Sequence, residues 1–243
     1  MCYNISYLEK RAERVTKHYG AEFKPETRQL EIFHVSGFVH TRLMVITQEE
    51  PDWIQEYTWG LIPAWCRDEK QAAEMMNRTL NAVGETAFEK PSFRNSIAKK
   101  RCLVIASGFY EWHTIGKKKF PFYVSLKERP FFSLGGIYEH WVNKETGELK
   151  NTFSIITTKA NLLLEKIHNT KKRMPLILPA EKEKEWINPV LSKDAVLKIM
   201  QPFDEAHMQA HSISKLITDR SRNSNVPEVQ HPFTYSELEG LGI

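Results

Sequence analysis

The sequence predicts an α+β fold: one domain over residues 1–243, with a mostly antiparallel sheet closing toward a barrel and helices at its flanks. Three observations predict it. Five segments between Cys102 and Thr157 are rich in β-branched and aromatic residues and are joined mostly by short turns, the spacing of a sheet that curls on itself. Helical patterns stand before and after that block. No repeat, low-complexity linker or shift of composition marks a domain boundary.

Taken in order, Ser6 to Gly20 reads as the first helix, with Ser6 and Glu9 as a capping box and Gly20 as its stop. Arg42 to Thr47 and Ile54 to Trp59 read as strands around the turn at Glu50-Pro51-Asp52. Pro63 ends any central strand within WGLIPAW, Trp59 to Trp65. Glu69 to Met76 reads as a short helix, Asn77 to Glu85 as a loop, and Glu85 to Lys100 as partly helical with a break at Pro91. The β block is CLVIA from Cys102, FYEWHTI from Phe109, PFYVSL from Pro121, FFSLGGIY from Phe131 and TFSIIT from Thr152. Ala160 to His168, Ala180 to Ile187 and Ser192 to Met200 read as helices, Leu176 to Leu178 and His207 to Lys215 as strands, and Thr218 to Pro232 as an irregular tail.

At 243 residues the chain can bury a sizeable core. Its 41% apolar and 26% charged residues are those of a soluble globular protein. There is no run of 18 apolar residues to span a membrane. The start, MCYNISYLEKRAERV, lacks an apolar signal core, so a cytoplasmic protein is expected. Cys2, Cys66 and Cys102 are too few and scattered for a disulfide framework or a zinc site, and neither metal nor cofactor is expected. A reducing compartment keeps Cys2 a thiol. The net charge of +4 permits a polyanionic partner without demanding one.

The chemistry centres on Met1-Cys2. A small second residue lets the initiator methionine be trimmed, leaving Cys2 with an α-amine and a thiol whose ordinary pKa values are ~8 and ~8.5. Such a 1,2-aminothiol condenses with an aldehyde to an imine, on which the thiol closes a thiazolidine ring. The alternative is an ordinary cysteine that happens to stand second. Alternation along GFYEWH puts Phe109, Glu111 and His113 on one strand face and Tyr110 and Trp112 on the other. A carboxylate beside Phe109 is either paired, protonated for proton transfer, or at a wet sheet edge. His168, closing a predicted helix, is either a dipole partner or an acid/base. Arg173 either holds a phosphate or faces solvent with Lys171 and Lys172. Asn81 is a turn former, or an amide that orients an amine and a carbonyl. Trp59, Trp65 and Trp112 are core residues or stacking platforms for bases. There is no GxSxG, Walker loop, GxGxxG or HExxH.

These pieces together resemble the SOS-response-associated peptidase (SRAP) family of abasic-site processing proteins. The matching segments run in order: MC, WGLIPAW, NAVGET at 81–86, GFYEWH at 108–113, TT at 157–158, AN at 160–161, IH at 167–168, RMPLIL at 173–178 and HSISK at 211–215. The resemblance implies a barrel-like α+β domain with a basic groove for single-stranded DNA, in which the exposed N-terminal cysteine captures the ring-opened aldehyde of an abasic site as a thiazolidine crosslink. It implies Cys2 as nucleophile, Asn81 as the group orienting its amine or the sugar, and Glu111 and His168 as acid/bases. Arg173, Trp65, Trp112 and Thr157 are implied as DNA-groove residues. The partner is then single-stranded DNA carrying abasic sites, with the protein monomeric and nucleoid-associated when bound. A Schiff-base route also admits lyase chemistry. Asn4 and Val83 stand where the family commonly has arginines, HVSGF lacks a wedge-like proline, and four residues separate His168 from Arg173. Two alternatives are a self-acting thiol peptidase of the N-terminal-nucleophile type and a non-covalent single-stranded DNA-binding module.

Overall fold

A computed structural model describes residues 2–242. From the N-terminus, β1 (Asn4–Tyr7) leads into α1 (Ala12–Tyr19), then β2 (Glu22–Phe23), β3 (Ile32–Ser36) and the antiparallel pair β4 (Arg42–Thr47) and β5 (Trp53–Trp59). Helix α2 (Glu69–Arg78), strand β6 (Asn81–Val83) and the short helices α3 (Gly84–Ala87) and α4 (Arg94–Lys99) follow. The longest strands come next: β7 (Arg101–Ala106), β8 (Gly108–Ile115), β9 (Lys118–Leu126), β10 (Phe132–Val142) and β11 (Leu149–Lys159). The remainder is α5 (Leu162–Ile167), β12 (Arg173–Pro175), β13 (Ile177–Leu178), α6 (Ala180–Trp186), α7 (Lys193–Ile199) and β14 (Met208–Ser212).

The strands form two systems. One is a barrel: β11, β10, β7, β4 and β5 pair antiparallel in that order. A short parallel contact of Thr152 and Phe153 with Thr58 and Trp59 closes the ring. The other is an antiparallel sheet ordered β14-β9-β8-β1-β3. The α+β class and the closed barrel therefore stand as the sequence predicts, but the barrel's membership differs. The five sequence-adjacent segments do not form one sheet, because β8 and β9 leave the barrel and pair with β1 and β14. The departure occurs at Ser107-Gly108. Any Cβ on Gly108 would lie 2.4 Å from the Tyr123 hydroxyl, so only glycine lets Tyr123 cross there and reach Ser6 Oγ at 3.0 Å.

Three local expectations are corrected. The segment read as the helix from Ser6 begins as strand β1, whose residues Ile5, Ser6 and Tyr7 are buried between β3 and β8. Helix α1 starts at Ala12 behind Arg11, which gives it no side-chain cap, while Glu9 instead accepts from the Arg11 N–H and pairs with Arg14. Gly20 does end it, at φ 66°, with its N–H on Thr16 O. The segment Asn81–Val83, read as loop, is a strand parallel to β11, and β3 carries no periodic signal of its own.

The two systems share a core in which Cys2, Ile5, Phe109 and Phe122 meet Val45, Tyr57, Val104, Phe132 and Phe153. Trp59 is fully buried, stacks on Phe153 at 6.2 Å and donates its indole N–H to Leu80 O at 2.8 Å, which pins the chain just before Asn81. Each such large side chain contributes roughly 1.5–3 kcal/mol by leaving water. Among the described residues no helix is long and apolar enough to cross a membrane, and no cluster of three or more His, Cys, Asp or Glu side chains is built to hold a metal ion.

Candidate active site

Strand β8 is the floor of the site. Its alternation holds as read: Phe109 and Glu111 face the shared core, and Tyr110 and Trp112 face a satellite cluster with Tyr123 and Ile213. Because β1 pairs beside it, with Ile5 opposite Phe109, the lead-in to β1 carries Cys2 over the same face. Cys2 is fully buried, and its thiol reaches Asn4 O at 3.7 Å. Burial first, and the Glu111 carboxylate second, push that thiol far above its ordinary range.

Helix α5 brings the histidine. Its N-cap is Asn161, whose side chain accepts from the Leu164 N–H at 2.9 Å. Its C-terminal end docks on β8, where the His113 Nδ1–H donates to Lys166 O at 2.7 Å and Asn169 bonds both the N–H and the carbonyl of Thr114. His168 thereby lies with Nδ1 3.7 Å from Glu111 Oε2. The same Nδ1–H donates to Arg173 O at 2.9 Å, which fixes the tautomer and leaves Nε2 as the basic nitrogen. The four residues between His168 and Arg173 close through Lys172, at φ 48°, whose N–H donates to His168 O.

Burial acts oppositely on the two groups. It raises the Glu111 carboxyl from 4.5 to about 7 and lowers the His168 imidazole from 6.5 to about 4. Between those values the pair is a neutral acid beside a neutral base, not an ion pair, so one group can give a proton and the other take one with no charge stored in the apolar site at rest.

Asn81 sits on β6 opposite Ile155 of β11, and neither polar atom of its side chain has a hydrogen-bond partner among the described residues. A buried amide left so is costly, and its donor and acceptor are available to a ligand. No hydrogen bond ties Asn81 to Cys2, Glu111 or His168 among the described residues.

Of the groove residues expected, Trp65 is 45% exposed, with its indole N–H on Pro91 O at 3.3 Å. Trp112 is half-buried on the face of β8 away from Glu111. Thr157 is fully buried and reaches the rim only through Arg173, which donates to its carbonyl at 2.5 Å and to its hydroxyl at 3.2 Å. Burial closes Thr157 to direct contact with a polymer. Arg173 is further clamped by both oxygens of Glu85, at 2.6 and 2.8 Å. Glu85 as its partner was not legible, since only the register between β6 and β11 brings 85 to 173. His113, which docks α5, was visible only as a face-mate of Glu111.

This geometry defines a class: an α+β barrel protein that sets a cysteine at the head of its chain against a buried carboxyl and imidazole. The chain belongs to the SOS response associated peptidase (SRAP) family, whose model matches residues 1–220. It is 41% identical over 205 residues, 84% of this chain and 88% of the relative, to the abasic site processing protein YoqW of Bacillus subtilis. It is 29% identical over 206 residues to the abasic site processing protein HMCES of Xenopus tropicalis, covering 76% of this chain and 59% of that one. A crystal structure of a protein from Bacteroides thetaiotaomicron superimposes with a TM-score of 0.89 at 40% identity, over 96% of this chain and 100% of that chain.

Proposed function

We propose that the protein captures abasic sites in single-stranded DNA through Cys2, once Met1 is removed, as a thiazolidine crosslink. The observation that carries this reading is a buried Cys2 facing a carboxyl that burial raises to about 7 and an imidazole that burial lowers to about 4. The names of YoqW and HMCES as abasic site processing proteins support the substrate.

The order of steps follows from the protonation states. Burial keeps the Cys2 thiol protonated, so the α-amine attacks first. Its nitrogen bonds to the aldehyde carbon, and the ammonium proton passes to the new alkoxide through His168 Nε2. Glu111 then protonates the carbinolamine hydroxyl, which leaves as water, and an iminium forms while Glu111 becomes a carboxylate. The thiol sulfur adds to the iminium carbon and its proton returns to Glu111, closing the ring with net loss of one water. Asn81 offers its amide to the amine and the sugar. A single strand spares the cost of extruding the sugar from a duplex, and contacts to phosphate and by stacking carry no sequence reading. A thiol peptidase requires a thiolate, which burial of Cys2 opposes.

The test uses protein beginning at Cys2 and an abasic oligonucleotide. A heat-stable shifted band is expected from wild type, and none from Cys2→Ser or from a chain with residues left before Cys2. An equal band from Cys2→Ser would sink the thiazolidine. Borohydride trapping of Cys2→Ala reads whether the amine alone forms the Schiff base that lyase chemistry needs, and intact mass after expression without the methionine aminopeptidase reads self-processing.

A further inference from the structure

The position of β1 is set from outside the barrel. Asn4, two residues from the nucleophile, turns its side chain inward, where its Oδ1 accepts from the His34 Nε2–H at 2.9 Å. The other imidazole nitrogen, Nδ1, accepts from the Ser224 hydroxyl at 2.7 Å. His34 is buried and its ring stands edge-on to Tyr110 at 5.3 Å. That burial lowers its pKa to about 4, so the imidazole is neutral and both bonds hold their sense at neutral pH. Beside Ser224, Asn225 Oδ1 accepts from the backbone N–H groups of Phe33 and His34, at 2.8 and 3.3 Å. Gln230 donates to Phe33 O and to the Tyr110 hydroxyl, both at 3.1 Å, and that hydroxyl donates to Phe33 O. Residues 224–230 lie beyond the span matched by the family model.

We propose that residues 224–230 are a positioning strap for the nucleophile. Asn225 and Gln230 hold β3 against Tyr110, the neighbour of Glu111, while Ser224, His34 and Asn4 form a relay of side-chain bonds that sets the strand bearing Cys2. The sheet ladders hold β1 from Asn4 onward, with Ile5–Phe109 and Ser6–Gly108 against β8 on the other side. β1 and β3 pair at Asn4–Ser36 and Ile5–Val35, then lose register before Tyr7–Ile32. Ahead of Asn4 the lead-in meets β3's side through the Gly37 N–H on Tyr3 O and the Tyr3 ring against Phe38 at 5.1 Å. The relay adds a side-chain tie at Asn4, the first ladder residue after the lead-in, which keeps an amine and a thiol aimed at one carbon. The carbonyl oxygen of the Asn4 side chain is thereby engaged inside the protein.

The inference rests on Cys2 being the nucleophile, so the experiment has one arm that needs DNA and one that does not. In the first, single-turnover capture of abasic single-stranded DNA is followed over a range of DNA concentrations for wild type, Asn225→Ala, Asn225→Asp and Ser224→Ala, all starting at Cys2. Misplacement of the reacting groups lowers the rate at saturating DNA between about ten- and a hundredfold in Asn225→Ala, with the half-saturating concentration unchanged. Asn225→Asp, which keeps an acceptor for both N–H groups, restores it. In the second arm, alkylation of Cys2 by iodoacetamide is read by peptide mass, and the alanine variants react faster because the lead-in is freed. Wild-type capture and alkylation rates in both alanine variants would overturn the strap. So would a loss of rate that tracks only the folded fraction, measured by thermal melting, and is not rescued by Asn225→Asp. If wild type forms no crosslink, covalent capture fails, and the alkylation arm decides the strap by itself.

Discussion

Replacing Glu111 by glutamine should make the protein more stable and less active, and the size of the first effect follows from burial. The Glu111 side chain is nearly inaccessible, and its carboxyl titrates at about 7 in the folded chain against 4.5 in its ordinary state. Below 4.5 the group is protonated both folded and unfolded, so a neutral glutamine of the same shape changes nothing. Between 4.5 and about 7 the unfolded chain releases the proton while the folded chain keeps it, and wild-type stability falls as pH rises. Above about 7 the loss is complete and amounts to about 3 kcal/mol. The imidazole of His168 acts with the opposite sign. The unfolded chain binds its proton below 6.5 while the folded chain refuses it down to about 4, so stability from His168 rises with pH across that range. That contribution is common to wild type and Glu111→Gln and cancels in their difference. Urea denaturation at constant m-value should therefore show Glu111→Gln equal to wild type at acid pH and progressively more stable through neutrality. Capture of an abasic oligonucleotide by the same variant should slow by about 10²-fold or more, since no proton is available for the leaving water. A stability difference that is flat with pH, or a glutamine variant weaker than wild type at alkaline pH, refutes the burial-driven protonation on which the mechanism rests.

Other consequences are independent of that one. Glu85 occupies the guanidinium of Arg173 through both carboxylate oxygens, as a phosphate would. Glu85→Gln should tighten single-stranded DNA binding and steepen its salt dependence by about 0.7 in log–log slope, one added phosphate contact. An unchanged slope removes Arg173 from the DNA contacts. Arg101 is fully buried and spends its guanidinium on the carbonyls of Trp186, Ile97, Ala98 and Asn188, tying α4 to α6. Arg101→Lys cannot span those acceptors and should cost about 3–5 kcal/mol in urea denaturation. A loss near zero would mean that the two helices hold without it. Gly108→Ala forces a Cβ into the Tyr123 ring at 2.4–2.5 Å, and the soluble, folded yield should fall sharply, while Tyr123→Ala in the same chain should recover part of it.

What was legible in the sequence was whatever a single segment carries. The alternation in GFYEWH separates Glu111 from Trp112 correctly, and Gly20 marks a helix end, because face and stop are local properties. What was not legible depends on partners far along the chain. Ser6 and Glu9 have the spacing of a capping box, but Asn4–Tyr7 finds β3 on one side and β8 on the other, and two ladders outweigh one cap. Strand β6 is three residues long, too short for any period, and exists because β11 lies beside it. The barrel closes through two residue pairs between β5 and β11, about ninety residues apart in sequence, which no propensity reports. Thr157 is a groove residue by the family resemblance, and the wrapping of β6 and β12 about β11, which no single segment reports, buries it.

The same long-range assembly explains why a chemically busy site is tolerable inside an apolar core. Between about pH 4 and 7 its three titrating side chains are all uncharged: a thiol, a carboxylic acid and an imidazole. Burial of neutral groups that are hydrogen-bonded costs little, whereas burial of an unpaired charge costs far more. Each proton the proposed reaction moves travels between these groups and the substrate, so the interior never holds a new full charge for longer than the iminium lasts, and Glu111 is then the carboxylate that balances it. The fixed charges stand at the rim, in Arg173 with Glu85 and in Lys171, which acts on both Glu111 and His168 from outside. Salt should therefore weaken the encounter with DNA and leave the rate of ring closure in the bound complex nearly untouched. A single-turnover rate at saturating DNA that falls with salt as steeply as the affinity does would place a fixed charge in the chemistry itself.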